Sequence, residues 1–189
     1  MQPSLFDLIH AIHPLSPALL EVLPTYLCRR QLPRKTQLLT EGQICDQLYF
    51  VEEGLARAYY YHNDEDVTAW FMPENNLILS VRSFFRQEPS YEYIELLEDS
   101  TIVSIRHSDL QHLYQQYPEF NYVGRVLTER YYVLSEERAL FLRRTKGKER
   151  LKGLLETFPQ IFNRVPLKHI ATYLGMKPET LSRLRRKLK

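Results

Sequence analysis

A chain of 189 residues with 44% hydrophobic residues can bury one large core, or a medium and a small one. No apolar run approaches the roughly 18 residues of a membrane span, and Met1–Leu20 lacks a basic-then-apolar leader, so a cytoplasmic protein that does not engage membranes is expected. Cys28 and Cys45 are the only cysteines and are far apart, which argues against a disulfide scaffold, a structural zinc site or a four-cysteine iron–sulfur centre. The net charge of +2 hides an asymmetry: from Arg143 onward there are 14 Lys and Arg against three acids, while the first 142 residues carry 11 bases and 20 acids. A basic module on an acidic body is the electrostatic footprint of a nucleic-acid reader attached to something else.

Residues 4–28 read as one or two helices. Ser16 before Pro17 is a helix start, Leu19, Leu20, Val22 and Leu23 give an apolar side, and Pro24 kinks or ends it. Residues 30–106 change to short β-prone runs separated by turns: RKTQLLTEG, QLYFVEEG, LARAYYYHND, VTAWFMPEN, YIELLED and STIVSIRH. Strands of that length and spacing predict an antiparallel sandwich or barrel. LYFVEEG into LARAYYY reads as a hairpin with Gly54 at its turn, and Asn63–Asp64 marks another turn. NNLILSVRSFFRQ breaks the rhythm and has room for one helical turn.

Residues 107–143 are helical by pattern, with Ser108 or Asp109 as the cap and an interruption at Pro118. Phe120, Leu127, Leu134 and Phe141 then fall seven residues apart, with Val123 beside them, in a long helix from about Glu119 to Arg143. A seven-residue apolar repeat predicts a helix that pairs with a second copy, although the same stripe would also suit packing within its own domain. Arg130 and Glu137 near the seam make it an uneven zipper. A helix through about Phe158 and a turn at Pro159 follow.

The most informative stretch is LKHIATYLGMKPETLSRLRRKL, residues 167–188. It reads as two short helices joined at Leu174–Gly175–Met176, with Pro178 opening the second and Ala171 at the close crossing. Ile170, Leu174, Leu181 and Leu184 would lock the pair. The second helix would then expose Glu179, Thr180, Ser182, Arg183, Arg186 and Lys187, a set able to meet base edges and phosphates in a major groove. An αα-hairpin with a solvated basic face would use the same residue types, and the charge asymmetry favours DNA. Membrane attachment of this tail is the weaker reading, since its bulky apolar residues suit a folded core.

The order of β-domain, long helix and basic helix-turn-helix resembles the Crp/Fnr family of bacterial transcription regulators. The resemblance covers about residues 20–189 and is carried by HIATYLGMKPETLSRLRRKL and TEGQICDQLYFVEEGLARAYY. Together with PSYEYIELLEDSTIVSI these pieces are most similar to short members of the kind found in Bacteroidetes. The resemblance implies an α+β fold: a jelly-roll-like antiparallel β-roll with flanking helices over 1–118, a dimerisation helix over 119–143, and a winged-helix-type helix-turn-helix domain over 144–189. It implies base reading by Glu179, Arg183 and Ser182, and phosphate contacts by Lys168, Lys177, Thr180, Arg186 and Lys187. Pro178 stands where the family often has Arg, so one base contact is missing; Arg185 and Lys189 add non-specific attraction. The implied partners are a two-fold-symmetric DNA operator, a second copy of the chain, RNA polymerase and a small-molecule effector.

The effector site is where this chain departs. Cyclic-nucleotide-binding members carry a Gly-Glu-Leu and, after a short helix, an Arg-Ser-Ala, which hold the ribose hydroxyl and the cyclic phosphate. No Gly-Glu pair occurs here; the glutamate falls near Ser80 and the Arg-Ser pair on Ser90–Tyr91, with Arg82 and Arg86 nearby. Tight binding of cAMP is therefore not expected. A different effector, an empty pocket and control by protein level remain open. Trp70, Phe71, Phe84, Phe85, Tyr91 and Tyr93 are dense enough to line an apolar pocket, or simply to be core.

No enzyme is expected. A metal-dependent barrel enzyme needs several converging histidines, and residues 30–106 hold only His62. The nucleophile-elbow and phosphate-loop glycine motifs are absent, and Cys28, Cys45 and His62 have no spacing that supports haem. The alternative function is a ligand-binding or protein-interaction module whose helix-turn-helix does not read DNA.

Overall fold

The computed structural model describes residues 4–187. Nine helices and eight strands are present among them: α1 (Leu5–His10), α2 (Pro17–Tyr26), β1 (Cys28–Leu32), β2 (Gln37–Leu39), β3 (Gln47–Glu53), β4 (Leu55–His62), β5 (Glu65–Pro73), β6 (Asn76–Ile78), α3 (Val81–Arg86), β7 (Tyr93–Leu96), β8 (Ser100–Arg106), α4 (His107–Gln116), α5 (Pro118–Arg144), α6 (Gly147–Thr157), α7 (Ile161–Arg164), α8 (Leu167–Tyr173) and α9 (Pro178–Arg186). The fold is α+β, as expected. None of the described helices is long and apolar enough to cross a membrane.

The strands form two four-stranded sheets, ordered β1-β8-β3-β6 and β2-β7-β4-β5. In the first, β8 is central: Cys28 pairs with Ser104 on one side and Tyr49 pairs with Ser104 on the other. β8 is buried from Ser100 to Ile105 without alternation. Side chains of α1, α2, α4 and α5 (Leu5, Leu23, Leu110, Phe120) close over one face of this sheet and enclose an apolar cavity of about 50 Å³. Ser16 accepts from the Leu19 amide at 3.3 Å to cap α2, and its hydroxyl donates to Glu119 at 2.6 Å, tying α2 to the start of α5. Pro24 lies inside α2 without ending it.

The segment read as a β3–β4 hairpin is not one. β3 and β4 belong to different sheets, and Gly54 is the corner where the chain changes sheet. Its φ is +96°, and a Cβ there would stand 2.1 Å from Ser100 Oγ and 3.0 Å from the Asp99 carbonyl oxygen. Alternating apolar runs joined by one glycine look alike in sequence whether they pair or turn a corner. The Asn63–Asp64 turn is present, with both residues at positive φ, 50° and 61°, as a tight two-residue hairpin requires. α4 begins at His107, so Ser108 and Asp109 fall inside its first turn instead of capping it.

The chain forms two compact units: residues 1–58 with 71–130, and residues 59–70 with 131–189. The tip of the β4–β5 hairpin therefore belongs with the C-terminal helices, and α5 runs through both units. Beyond α5 the described residues hold four helices and no strand, so the helix-turn-helix has no wing. After the turn at Pro159, the stretch QIFNRVP contains α7, with Ile161 and Val165 buried in the helical core with Leu151 and Leu154.

Two glycines separate steric from conformational cost. Gly42 also has positive φ, +84°, but nothing lies within 4 Å of a Cβ placed there. Gly54→Ala is expected to destabilise the protein by about 2–4 kcal/mol, and Gly42→Ala by about 1–2 kcal/mol. Urea denaturation followed by circular dichroism measures both; equal losses would contradict the corner contact at Ser100.

Candidate nucleic-acid interface and effector pocket

The helix-turn-helix is built on side chains that leave water completely: Ile170, Ala171 and Leu174 from α8 and its end, and Leu181 from α9, are each 0% exposed. Gly175 takes φ +62° in the turn, and Pro178 occupies the first turn of α9, where its missing N–H is no loss. At 100° per residue, Ser182, Arg186, Glu179, Arg183, Lys187 and Thr180 fall on an arc of roughly 160° opposite Leu181 and Leu184. Glu179, Arg183, Arg186 and Lys187 on that arc are exposed, and Thr180 and Ser182 are half-buried at its margins. Lys168 at the start of α8 and Lys177 before α9 are exposed as well. None of these bases has an ion pair among the described residues. Arg185 is different: its guanidinium stacks 4.3 Å above the Phe162 ring, directed toward α7 and away from that arc. Lys189 lies outside the described residues.

A second set of contacts in the same unit had no signal in the sequence. Arg138, on α5, donates through Nε to the Ala69 carbonyl at 3.0 Å and through a terminal nitrogen to the Tyr173 carbonyl at 2.8 Å. Its guanidinium lies 3.6 Å from the Tyr173 ring centre and 5.4 Å from that of Trp70. Burial lowers the Arg138 pKa from its ordinary value, opposed by neighbouring tyrosines. Nearby, the Thr68 amide donates to Thr172 Oγ1 at 3.1 Å, and His169 Nδ1 stands 3.6 Å from Asp66 Oδ1. These partners lie tens of residues apart in the chain, so no local pattern announces them.

The effector candidates divide. Ser80 and Ser90 come together, 0% and 3% exposed, with their hydroxyl oxygens 3.0 Å apart. Arg82 and Tyr91 do not join them: Arg82 is exposed and pairs with Glu88 at 3.3 Å, and Tyr91 is 51% exposed. The residue missed by sequence reasoning is Glu92, which accepts from Ser80 Oγ at 2.6 Å and whose backbone amide donates to Ser90 Oγ at 2.9 Å. Burial raises the Glu92 pKa, partly offset by the Ser80 hydrogen bond. The buried Arg57 is neutralised by Glu95 at 2.8 Å. Where the resemblance puts a ribose-binding carboxylate and a phosphate-binding guanidinium, this chain has two hydroxyls satisfied by its own glutamate. The aromatics are not a single lining: Phe71 and Phe84 are buried, whereas Phe85 is 56% exposed.

The expected dimer seam is also rearranged. Phe120 and Val123 are 6% and 1% exposed and, with Leu127, line the apolar cavity of their own unit. Phe141 lies beside Gly153 of α6. Of the expected seam, Leu134 is open to solvent at 38% exposure, alongside Val133 at 53% and Leu140 at 45%. The apolar repeat thus serves two surfaces, because a 27-residue helix turns its positions gradually between core and outside. Among the described residues no group of three or more His, Cys, Asp or Glu is placed to hold a metal ion.

Residues 29–117 match the cyclic nucleotide-binding domain family. No curated protein matches the sequence. Among solved structures, the c-di-GMP responsive global regulator CLP of Xanthomonas campestris is 17% identical, with 92% of this chain and 91% of that one covered and a TM-score of 0.70. FixK2 of Bradyrhizobium japonicum is 17% identical over 86% of this chain and 84% of that one, with a TM-score of 0.73. The catabolite activator protein of Thermus thermophilus is 18% identical over 94% and 85%, with a TM-score of 0.57. Residues 29–117 are thus similar to a cyclic nucleotide-binding domain, and the chain shares its fold with these three solved structures.

Proposed function

We propose that this chain is a homodimeric transcription regulator that reads a two-fold-symmetric DNA operator and is not controlled by cAMP. The observation that carries the reading is the arc of α9, where Glu179, Arg183, Arg186 and Lys187 stand exposed opposite a fully buried Leu181. Glu179 lies in the first turn of α9, the end at which recognition helices meet base edges, and Arg183 stands one turn further on along the same face. Ser182 lies at the margin of that arc. Lys168, Lys177, Thr180, Arg186 and Lys187 surround it as phosphate contacts. The fold is that of proteins named as a global regulator and a catabolite activator, which supports a regulatory role. RNA polymerase is the partner such a role requires, and the cytoplasm is its place. No catalytic residue is assigned.

Pairing is assigned to the exposed stripe of α5, Val133, Leu134 and Leu140, with Arg130 and Glu137 between. Two copies would bring two reading helices to half-sites about one helical turn of DNA apart. The case against cAMP rests on charge. A cyclic phosphate entering at Ser80 and Ser90 would meet the Glu92 carboxyl and find no free guanidinium there. An effector of other chemistry is left open.

The reading is tested by incubating the protein with a genomic-fragment library at two salt concentrations, with and without cAMP, and sequencing the retained DNA. Enrichment of a two-fold-symmetric site at the higher salt, unchanged by cAMP, is expected. Enrichment only with cAMP would overturn the assignment at Ser80 and Ser90. Binding that vanishes with salt and enriches nothing would favour an interaction module that does not read DNA. Against the enriched site, Arg183→Ala is expected to cost about 1–3 kcal/mol at one base position and relax specificity there, while Arg186→Ala weakens all duplexes alike and lowers the salt slope by about one. Val133→Glu with Leu140→Glu is expected to yield monomers by sedimentation, and an unchanged dimer would place the interface elsewhere.

A further inference from the structure

Arg138 is a half-buried cation that no carboxylate pairs with among the described residues. A guanidinium in that position must find acceptors elsewhere or destabilise the fold. It finds them on two separate pieces of chain: the carbonyl of Ala69 in β5 and the carbonyl of Tyr173 at the end of α8. Its flat faces are used too, against Tyr173 and Trp70. A guanidinium is the side chain that can do both at once, since it is planar, forked and weakly hydrated. Thr68 and Asp66 extend the same contact along the hairpin to Thr172 and His169. Two residues of β5, Asp66 and Thr68, therefore meet α8 directly, and two more, Ala69 and Trp70, are tied to it through Arg138.

α8 is the helix on which α9 is set: Ile170, Ala171, Leu174 and Leu181 pack with no solvent between them. Neither Arg138 nor the hairpin residues lie on α9. We propose that Arg138 is a positioning residue for DNA recognition: it clamps the β4–β5 hairpin to α8, and the docked hairpin sets the attitude of α9 in the groove without touching DNA. This rests on the DNA-reading function proposed above.

Trp70 is the only tryptophan in the chain, which gives the clamp its own reporter. The test compares wild type, Arg138→Lys and Thr172→Val in the full chain. Arg138→Lys keeps the charge and loses the fork and the stacking plane; Thr172→Val removes only the hydroxyl that accepts from Thr68. Three quantities are read: acrylamide quenching of Trp70, affinity for the duplex selected by the wild type, and affinity for a random duplex of the same length at low salt. Arg138→Lys is expected to make Trp70 more quenchable and to lower the selected-to-random preference roughly tenfold, with random-duplex binding nearly unchanged. Thr172→Val should move both readouts in the same direction by less. The proposal is overturned if both variants keep the wild-type preference, or if they weaken both duplexes equally, as a general loss of stability would. If the wild type itself selects no sequence, the DNA-reading function fails first and this proposal falls with it; preference lost only in the variants separates the two cases.

Discussion

A positive charge drawn half out of water, with no acid paired to it among the described residues, has to be accommodated by dipoles and aromatic faces, and at Arg138 this requirement organises the C-terminal unit. Two backbone carbonyls and two rings satisfy it, one of each from β5 and, with Tyr173, one of each from α8. An ion pair would have joined two side chains; carbonyl acceptors join the main chain of a strand to the main chain of a helix. The result is a stiffer junction than a surface salt bridge, whose long side chains hold little in place. α5 supplies the cation, so the helix assigned to dimerisation also sets the relation between hairpin and reader.

Charge is distributed with the same economy in the cyclic nucleotide-binding domain. Ser80, Ser90 and Glu92 are each satisfied by another member of the set. Arg57, the buried arginine of this domain, is engaged by Glu95. An anion has nothing to displace water for. Under the proposed DNA-reading function, the acidic body and the basic tail would act separately, the first repelling DNA and the second attracting it.

Much of this was legible in the sequence where the pattern is local. The long helix after Pro118, the turn at Gly175 and the exposed basic arc of α9 follow from period, breaker and charge. Ser80 and Ser90, placed near one another by the family register, lie side by side in the fold. Other features were hidden for identifiable reasons. β1, CRRQL, is an exposed edge strand and shows no alternation to read. The Gly54 corner mimics a hairpin. The seven-residue repeat from Phe120 to Phe141 is genuine, yet Phe120 faces the core of one unit, Phe141 lies against α6, and Leu134 between them is open to solvent. Glu92 looks like any surface glutamate until two serines are seen to face it. The Arg138 cluster joins positions 35 and 69 residues apart, beyond any periodicity.

The hairpin tip has one more consequence, for synthesis. Thr68 is separated from its partner Thr172 by 104 residues. At translation rates of roughly 5–20 residues per second, the tip leaves the ribosome on the order of 5–20 s before α8 exists to receive it. During that interval Trp70 has neither Arg138 nor α8 beside it, so the nascent hairpin presents an uncovered aromatic finger. A helix-turn-helix transplanted from residue 131 onward would leave that finger behind, and with it the acceptor at Ala69 for its own half-buried arginine.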